Sequence, residues 1–458
     1  MRRWRTRDTW ATFASFLLAL ALCLYYQTHA IVDGPIRSDA GQYVRLAVNL
    51  LEHHVLSSAD PGTTPLLPES YRTPGYPLIL ALVIKLTGGN LQSFYVGALA
   101  LQAVMTALTV VLVFRIGRNF LGFWPAFAAS LLLAMWPLAV VQSSFLLTET
   151  SFGFFMMAGL WALCVAQARA SVAWYFAAAA LLAFAAVINP MFAPFPLVLA
   201  VAFVLRRQAA AAILLIAFIA VPWGLWQARS ASLPAATEAT SQGHRLAENI
   251  LIGMSPDIKR YYNDRVSPEG EAVFADFHRL LDLRDQRPRA FYAEVWARLS
   301  QQPGKYLHWY FVEKPGDVWY WPVIQGFGGL YVYPTMRSPY ETTGLFRLMA
   351  IACLVLSPVF VLLALAGASY GLLAWLGRRR PSLPLLVLSL LFWYFSLLYW
   401  VLAPDGRYVT PFRGCEFLLA AFAMERSVQW LRQRRAGWAS QQNLVPGRAE
   451  TIALESDL

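Results

Sequence analysis

The chain has 458 residues, of which 58% are hydrophobic and 14% charged, and a formal net charge of +11. Soluble domains are about 45–50% apolar and about 25% charged, so this composition excludes an ordinary soluble protein and predicts an all-α integral membrane protein. The positive charge does not indicate a nucleic-acid partner, because arginine-rich loops are typical of the cytoplasmic side of membrane proteins.

Ten apolar segments predict membrane spans, since about 20 apolar residues cross a bilayer. Placing all six arginine groups on the cytoplasmic side requires a cytoplasmic N-terminus. We expect the first span to be a retained signal-anchor, because its apolar run exceeds the roughly 7–15 residues of a cleaved signal peptide. The predicted spans are 10–32, 92–114, 121–141, 149–168, 173–188, 190–205, 209–228, 348–376, 383–403 and 408–425.

This topology divides the chain into four parts. Residues 1–228 form an N-terminal transmembrane module that includes the first outer loop, 33–91. Residues 229–347 form a larger mixed outer segment between spans seven and eight. Residues 348–425 hold the last spans, and 426–458 form a cytoplasmic tail.

The predicted cytoplasmic loops are only a few residues long and contain no nucleotide-binding motif of the G-x-x-x-x-G-K-[ST] type. Any chemistry is therefore expected on the outer face, where no ATP is available. A substrate used there must arrive already activated, and a lipid-linked donor fits that requirement best.

The first outer loop predicts two helices that lie along the membrane surface. The stretch "SDAGQYVRLAVNLL" (38–51) is amphipathic. Asp39, followed by Gln42, has the pattern of a capping box, and a capping carboxylate can also face a cleft. The run 73–89 is short for a span and is interrupted by Lys85, which indicates an interfacial helix.

Other charged residues also stand at the predicted outer membrane surface. Arg72 precedes the turn "TPGYP" and can bind a phosphate through two parallel hydrogen bonds or pair with lipid headgroups. Glu149 begins the fourth span, where it is either functional or a helix N-cap. Arg407 precedes the last span, and Arg413 and Glu416 within it are spaced to pair. That pair is either functional or structural.

The aromatic and cysteine residues indicate a function less specifically than the charged residues do. The outer stretch "YLHWYFVEKPGDVWYWP" (306–322) carries aromatic residues that either stack on a sugar or prenyl chain or form an interfacial belt. They are Trp309, Tyr310, Trp319, Tyr320 and Trp321. The four cysteines fall inside predicted spans, so we expect packing residues and neither disulfides nor a metal site.

The ordered set "SDAGQYVRLAVNLL", "YRTPGYPLILALVIKLTGGN", "RIGRNFLGFWPAFAASLLLAMWPLAVVQSSFLLTET" and "GRYVTPF" resembles the GT-C glycosyltransferases. More narrowly, it is similar to the branch that holds the protein O-mannosyltransferases and the aminoarabinose transferase of lipid A. The resemblance covers residues 10–190 and 383–425. It is weak over 229–347, where acceptor choice is expected to lie.

The resemblance implies a GT-C-type fold and a set of site residues. It implies that Asp39 is the catalytic acid and Glu149 a second acid. The cations expected at the donor phosphate are Arg72, Arg407 and Lys85. Candidates for the substrate pocket are Glu69, Tyr76, Trp319, Tyr320 and Tyr408. No metal and no cofactor besides the lipid-linked donor are expected.

The resemblance also implies an activity. The chain is expected to transfer a sugar, with inversion, from a polyprenyl-phosphate donor to a glycolipid, glycan or protein hydroxyl, with Asp39 as general base. We expect it in the bacterial inner membrane, in contact with membrane lipids and with its active site on the periplasmic face. One alternative is a lipid or solute transporter or flippase, although the ionisable residues gather at the outer rim instead of the midplane. Another is a polymerase or ligase of outer-face glycans.

Overall fold

The computed structural model describes residues 6–233, 241–261, 264–319, 335–379 and 381–442. These residues are mostly helical, with one pair of short strands, β1 (Ile31–Val32) and β2 (Thr335–Arg337). Two 3-10 turns, Pro190–Phe192 and Thr410–Phe412, and a π-helical turn, Trp309–Glu313, complete the elements. The helices are α1 (Thr6–His29), α2 (Ser38–His53), α3 (Gly75–Leu86), α4 (Leu91–Gly117), α5 (Phe123–Met135), α6 (Pro137–Gln142), α7 (Thr148–Arg169), α8 (Val172–Ile188), α9 (Phe195–Leu205), α10 (Ala209–Ala231), α11 (Gln242–Met254), α12 (Pro256–Arg260), α13 (Pro268–Gln286), α14 (Pro288–Gln301), α15 (Pro303–His308), α16 (Lys314–Trp319), α17 (Pro339–Thr342), α18 (Gly344–Leu376), α19 (Leu383–Val401), α20 (Gly406–Val409) and α21 (Arg413–Gln442).

The apolar helices confirm a multi-pass membrane protein. Within the described ranges, six helices are long and apolar enough to cross a bilayer: α1, α4, α7, α10, α18 and α19. The predicted spans 173–188 and 190–205 correspond to the shorter helices α8 and α9, and 121–141 is divided between α5 and α6. The last predicted span begins in α20 and continues into α21. The number of ten spans therefore stays a prediction.

The arginine-bearing turns lie together at one end of the bundle. Sequence analysis predicts that all of them lie on one side of the membrane. Three contacts join helix ends there. They are the ion pair of Arg118 Nε with Asp8 Oδ1 at 3.0 Å, the hydrogen bond from Gly122 N to Glu425 Oε1 at 3.3 Å, and the hydrogen bond from Arg206 Nη1 to Pro381 O at 3.3 Å. The first outer loop follows α1 at the opposite end.

The first outer loop contains the two expected helices, α2 and α3. Helix α3 has 12 residues, about 18 Å at 1.5 Å per residue, which is shorter than the hydrocarbon core of about 30 Å. Helix α2 buries Tyr43 and Leu46 and also the polar residue Asn49. Asn49 Nδ2 donates to the backbone oxygens of Ser57 and Ala59, so it fixes the chain that follows the helix.

The outer segment is mainly helical and has its own apolar core, formed by side chains of α11 to α14. Near its end, β2 pairs antiparallel with β1, which lies between α1 and the first outer loop. The fully or nearly buried residues of this core are Ala247, Leu251, Ile258, Phe277, Leu280, Leu281 and Phe291.

Two lysines bind this segment to the end of α19 and to the chain that follows it. Lys314, which is fully buried, donates from Nζ to Val401 O at 3.2 Å. Lys259 Nζ donates to Pro404 O at 3.0 Å. Both contacts fall just before α20, so the outer segment helps to set the position of that short helix.

Close packing of α3 against the end of α8 gives a first prediction. A Cβ atom added to Gly75 would lie 2.7 Å from the backbone of Val187 and of Ile188, so Gly75→Ala forces these two elements apart. We expect a loss of about 1–3 kcal/mol in the free energy of unfolding, as for other overpacked sites. Thermal unfolding in detergent measures this loss. Gly62→Ala is the matched control, since nothing lies within 4 Å of its added Cβ. Equal stability of the two variants would contradict the prediction.

Candidate active site

Asp39 lies inside the first turn of α2 and does not cap it. The N-cap residue is Arg37, which is extended and makes no side-chain capping hydrogen bond. Ser38, the first residue of the helix, has a φ of +48°, a region that non-glycine residues rarely adopt. The capping interpretation of Asp39 is therefore wrong, and its carboxylate is directed to other partners.

Arg72 binds Asp39 and two further residues of α2. Its Nη2 donates to Asp39 Oδ1 at 2.6 Å and to Gln42 Oε1 at 2.8 Å, and its Nη1 donates to Tyr43 OH at 3.2 Å. Only 6% of its side chain is exposed, against 28% for Asp39. The turn before α3 thus places the buried guanidinium group of Arg72 against the start of α2.

Arg407 joins Asp39 to Glu149. Its Nε lies 2.9 Å from Glu149 Oε1, and its Nη2 lies 3.5 Å from Asp39 Oδ2. Leu147 is the N-cap of α7, so Glu149 is not the cap but stands in the first turn and pairs with the arginine. Four predicted site residues therefore meet in one group, the Asp39 cluster: Asp39, Arg72, Glu149 and Arg407.

The charges around Asp39 lower its pKa to about 2. Burial by itself raises the pKa, but the positive charges of Arg72, Arg407 and Arg245 outweigh it. Arg245 belongs to α11 of the outer segment, and its Nη1 donates to Tyr71 O at 3.5 Å. Asp39 is thus a stable anion at neutral pH, and a weak base as long as both arginines contact it.

A buried polar network supports the turn that leads to Glu149. Tyr76 OH donates to Gln102 Oε1 at 3.1 Å, and Gln102 Nε2 donates to Ser143 O at 3.1 Å. Gln27 Nε2 donates to the same oxygen at 2.9 Å. Tyr76 was expected in the substrate pocket, but only 1% of it is exposed. The structure therefore places it behind the Asp39 cluster, where it positions the chain before α7.

A cavity of about 40 Å³ lies beside Glu149, between α4, α6, α7 and the turn before α21. Among the described residues, neither polar atom of the Gln142 side chain has a hydrogen-bond partner, and the same holds for Glu149 Oε2. A cavity of this size can hold ordered water, which needs about two to four polar partners. Its lining residues are Thr106, Thr109, Leu133, Ala139, Gln142, Glu149, Thr150, Gly153, Thr410 and Pro411.

Two further predicted residues are not part of this arrangement. Lys85 is exposed near the far end of α3, about 15 Å along the helix from Gly75, so it does not join the arginines. Glu69 is buried, and its Oε2 accepts a hydrogen bond from Ser58 N at 3.0 Å. Glu69 therefore holds the first outer loop together instead of facing a substrate.

The aromatic candidates are partly structural. Trp319 is buried and stacks on Phe392, with ring centroids 4.6 Å apart, and Trp309 Nε1 donates to a backbone oxygen within the protein. Their rings are thus engaged in packing. Tyr320 and Trp321 lie outside the described residues.

Tyr408, unlike Trp309 and Trp319, lies beside Arg407 of the Asp39 cluster. Its ring stacks on Tyr399 with centroids 5.5 Å apart, and the guanidinium of Arg407 lies 5.1 Å from its centre. Tyr408 is partly exposed, so its position is compatible with the predicted pocket.

Sequence analysis missed three residues that complete the cluster: Gln42, Tyr43 and Arg245. Gln42 and Tyr43 follow Asp39 by three and four residues, the helical spacing that places side chains on one face. That spacing would have identified them as partners of the same cation. Arg245 lies in the outer segment and has no comparable signal, because only folding brings α11 to the first loop.

No group of three or more His, Cys, Asp or Glu residues that can hold a metal ion occurs in the described part of the chain. Both acids of the Asp39 cluster are instead paired with arginine. That the protein requires no metal stays a prediction.

Arg413 and Glu416 form a separate pair, fully buried, with Arg413 Nη1 2.6 Å from Glu416 Oε2. Arg413 Nη2 also donates to Trp319 O at 2.9 Å. The described contacts of this pair are with each other and with Trp319, apart from the Asp39 cluster, so the geometry favours the structural interpretation of this pair.

The buried pair gives a second prediction. Arg413→Met leaves Glu416 charged in an apolar interior, so we expect a loss of about 3–5 kcal/mol in the free energy of unfolding. The double variant Arg413→Met/Glu416→Leu removes both charges and should recover much of that loss. Denaturation in detergent compares the two, and an equally unstable double variant would contradict a purely electrostatic cause.

The pKa of Asp39 gives a third prediction. Above its ordinary pKa of 3.8, Asp39 is ionised in both the folded and the unfolded chain, so its contribution to stability is fully present. As the pH falls towards about 2, the unfolded chain binds a proton that the folded chain does not, and this contribution is lost. Unfolding of wild type and Asp39→Asn should therefore differ by a constant amount above pH ~4 and converge near pH ~2. A difference that persists unchanged at pH ~2 would rule this out.

Comparison with known proteins gives one family match. Residues 71–226, about a third of the chain, match the family described as dolichyl-phosphate-mannose-protein mannosyltransferase. This range includes Arg72 and Glu149. A search of curated proteins finds no match.

Solved structures give a wider match. The archaeal oligosaccharyltransferase AglB from Archaeoglobus fulgidus, in complex with an inhibitory peptide and a dolichol-phosphate, is 15% identical, with a TM-score of 0.52 over 97% of this chain and 52% of that one. An Archaeoglobus fulgidus oligosaccharyltransferase tethered with an acceptor peptide gives 15% identity and a TM-score of 0.52 over 94% of this chain and 51% of that one. ArnT from Cupriavidus metallidurans bound to undecaprenyl phosphate gives 15% identity and a TM-score of 0.43 over 90% and 60%.

The chain spans about half the length of the archaeal oligosaccharyltransferase chains it matches. At 15% identity these similarities concern the fold, and they extend over almost the whole of the present chain. Together with the family match, the similarity to AglB shows that the chain has the fold of the GT-C membrane glycosyltransferases.

Proposed function

We propose that the chain transfers a sugar from a polyprenyl-phosphate donor to an acceptor hydroxyl on the periplasmic face of a bacterial inner membrane. The observation that carries this proposal is the Asp39 cluster, in which one partly exposed carboxylate lies against two buried guanidinium groups. This combination meets the two needs of the reaction, a base for the acceptor and cations for the leaving phosphate.

Asp39 acts as the general base. The acceptor oxygen attacks the anomeric carbon of the sugar while its proton passes to the Asp39 carboxylate. The bond from that carbon to the phosphate oxygen breaks, and its electron pair stays on the phosphate. A single displacement of this kind inverts the configuration of the sugar.

Arg72 and Arg407 stabilise the leaving group. The donor is a phosphodiester with one negative charge, and the released polyprenyl phosphate carries up to two. Cations that are already fixed in place stabilise charge that develops in the transition state. Both arginines are fixed in this way, Arg72 by Gln42 and Tyr43 and Arg407 by Glu149. Glu149 thus serves to position Arg407.

The outer segment is the proposed acceptor region. Helix α11 borders the cluster, since Tyr71 OH donates to Glu248 Oε2 at 2.8 Å and Arg245 contributes to the field at Asp39. An acceptor held between α11 and α2 would bring its hydroxyl to the exposed side of Asp39. A glycolipid, a glycan and a protein side chain all offer such a hydroxyl.

The proposal gives a fourth prediction, measured as transfer of label from a radiolabelled polyprenyl-phosphate sugar to a membrane extract of acceptors. Asp39→Asn removes the base and should lower the rate by about 10²–10⁴. Arg72→Gln removes one phosphate cation and should lower it by about 10²–10³.

Arg37→Gln is the matched control, because Arg37 is a neighbouring arginine that pairs with the exposed Asp33 at 3.8 Å and lies outside the cluster. We expect its rate to stay near that of wild type. Transfer by Asp39→Asn at the wild-type rate would exclude Asp39 as base. Wild-type protein that moves lipid across vesicles without transferring sugar would favour a transporter.

A further inference from the structure

The members of the Asp39 cluster differ in their access to solvent. The Asp39 side chain is 28% exposed, whereas those of Arg72 and Arg407 are 6% and 7% exposed. The carboxylate is therefore the outermost charge of the three. A phosphate that approaches the arginines from outside meets a negative charge first.

Asp39 uses both of its oxygens to engage the arginines. Oδ1 accepts from Arg72 Nη2 at 2.6 Å, and Oδ2 faces Arg407 Nη2 at 3.5 Å. A phosphate group with two free oxygens makes the same kind of paired contact with guanidinium groups. The carboxylate thus occupies the positions that a bound phosphate would need.

The backbone before Asp39 is compatible with movement. Ser38 has a φ of +48° and Gly34 a φ of +53°, so this segment holds a conformation that is unfavourable for a serine. Helix α2 also begins without a side-chain capping bond. A change of the backbone at Ser38 that moves Asp39 would therefore not have to break a side-chain capping bond.

We propose that Asp39 occupies the anion site of the donor, so that the lipid phosphate displaces its carboxylate from Arg72 and Arg407 and thereby frees it to act as base. This inference rests on the proposed function. The donor is a monoanionic phosphodiester, so the exchange replaces the single negative charge of Asp39 at the arginines with the single negative charge of the phosphate. Neither guanidinium is left buried without an anion, which would be strongly unfavourable.

This displacement explains how Asp39, a weak base while it contacts both arginines, becomes a base strong enough to accept the proton of the acceptor. The charged groups that face Asp39 are Arg72 before α3, Arg407 at α20, Arg245 on α11 and Glu149 on α7. When the phosphate pairs with Arg72 and Arg407, Arg245 continues to lower the pKa of Asp39, while burial raises it. The base therefore gains strength only after the donor has bound.

The test measures binding of undecaprenyl phosphate to the purified full-length protein in detergent, without transfer. Asp39→Asn has nearly the same shape but no charge, so it no longer competes for the arginines. We expect it to bind the lipid roughly tenfold more tightly than wild type, which corresponds to about 1.4 kcal/mol. Asp39→Glu keeps the charge and should show no such gain.

Asp33→Asn is the matched control, because it removes one negative charge from the same loop without touching the cluster, and its affinity should match that of wild type. Asp39→Ser replaces Asp39→Asn if the latter is not monodisperse. Equal or weaker binding by the neutral Asp39 variants, with wild type binding normally, would overturn this inference alone. No binding by any of these proteins, wild type included, would overturn the proposed donor as well.

Discussion

One carboxylate shared by two buried guanidinium groups is the contact on which the outer end of this bundle depends. Taking an arginine out of water is unfavourable unless its donors find acceptors and its charge finds a partner. Arg72 meets this requirement with Asp39, Gln42 and Tyr43, and Arg407 meets it with Asp39 and Glu149. The cluster can therefore form only when the first outer loop, α7 and α20 are packed together.

Other contacts hold the elements that carry the cluster in position. A network through Gln102 and Ser143 fixes the chain before Glu149. Lys314 and Lys259 fasten the outer segment to the chain just before α20, which carries Arg407. Because each support comes from a different part of the sequence, the geometry of the site is a property of the whole fold.

Two groups of buried charge among the described residues, the pair of Arg413 with Glu416 and the Asp39 cluster, illustrate different roles of buried charge. Arg413 and Glu416 neutralise each other one helical turn apart, and both are fully enclosed. The Asp39 cluster joins separate elements and leaves one side of its carboxylate exposed. Only the second arrangement offers a charged face to a molecule that arrives from outside. Accessibility, more than the presence of charge, distinguishes a candidate site from a structural pair.

The sequence by itself determined the membrane class, most of the apolar helices, the two helices of the first loop and four members of the candidate site, because hydrophobic periodicity and charges at span ends are local signals. Only the tertiary structure decided which charges meet. It directed Asp39 and Glu149 to arginines instead of helix caps, turned Tyr76 and Glu69 into supports, and left Lys85 at the far end of α3. Pairing depends on which helix ends come together, and that distance is set by the packing of the whole bundle.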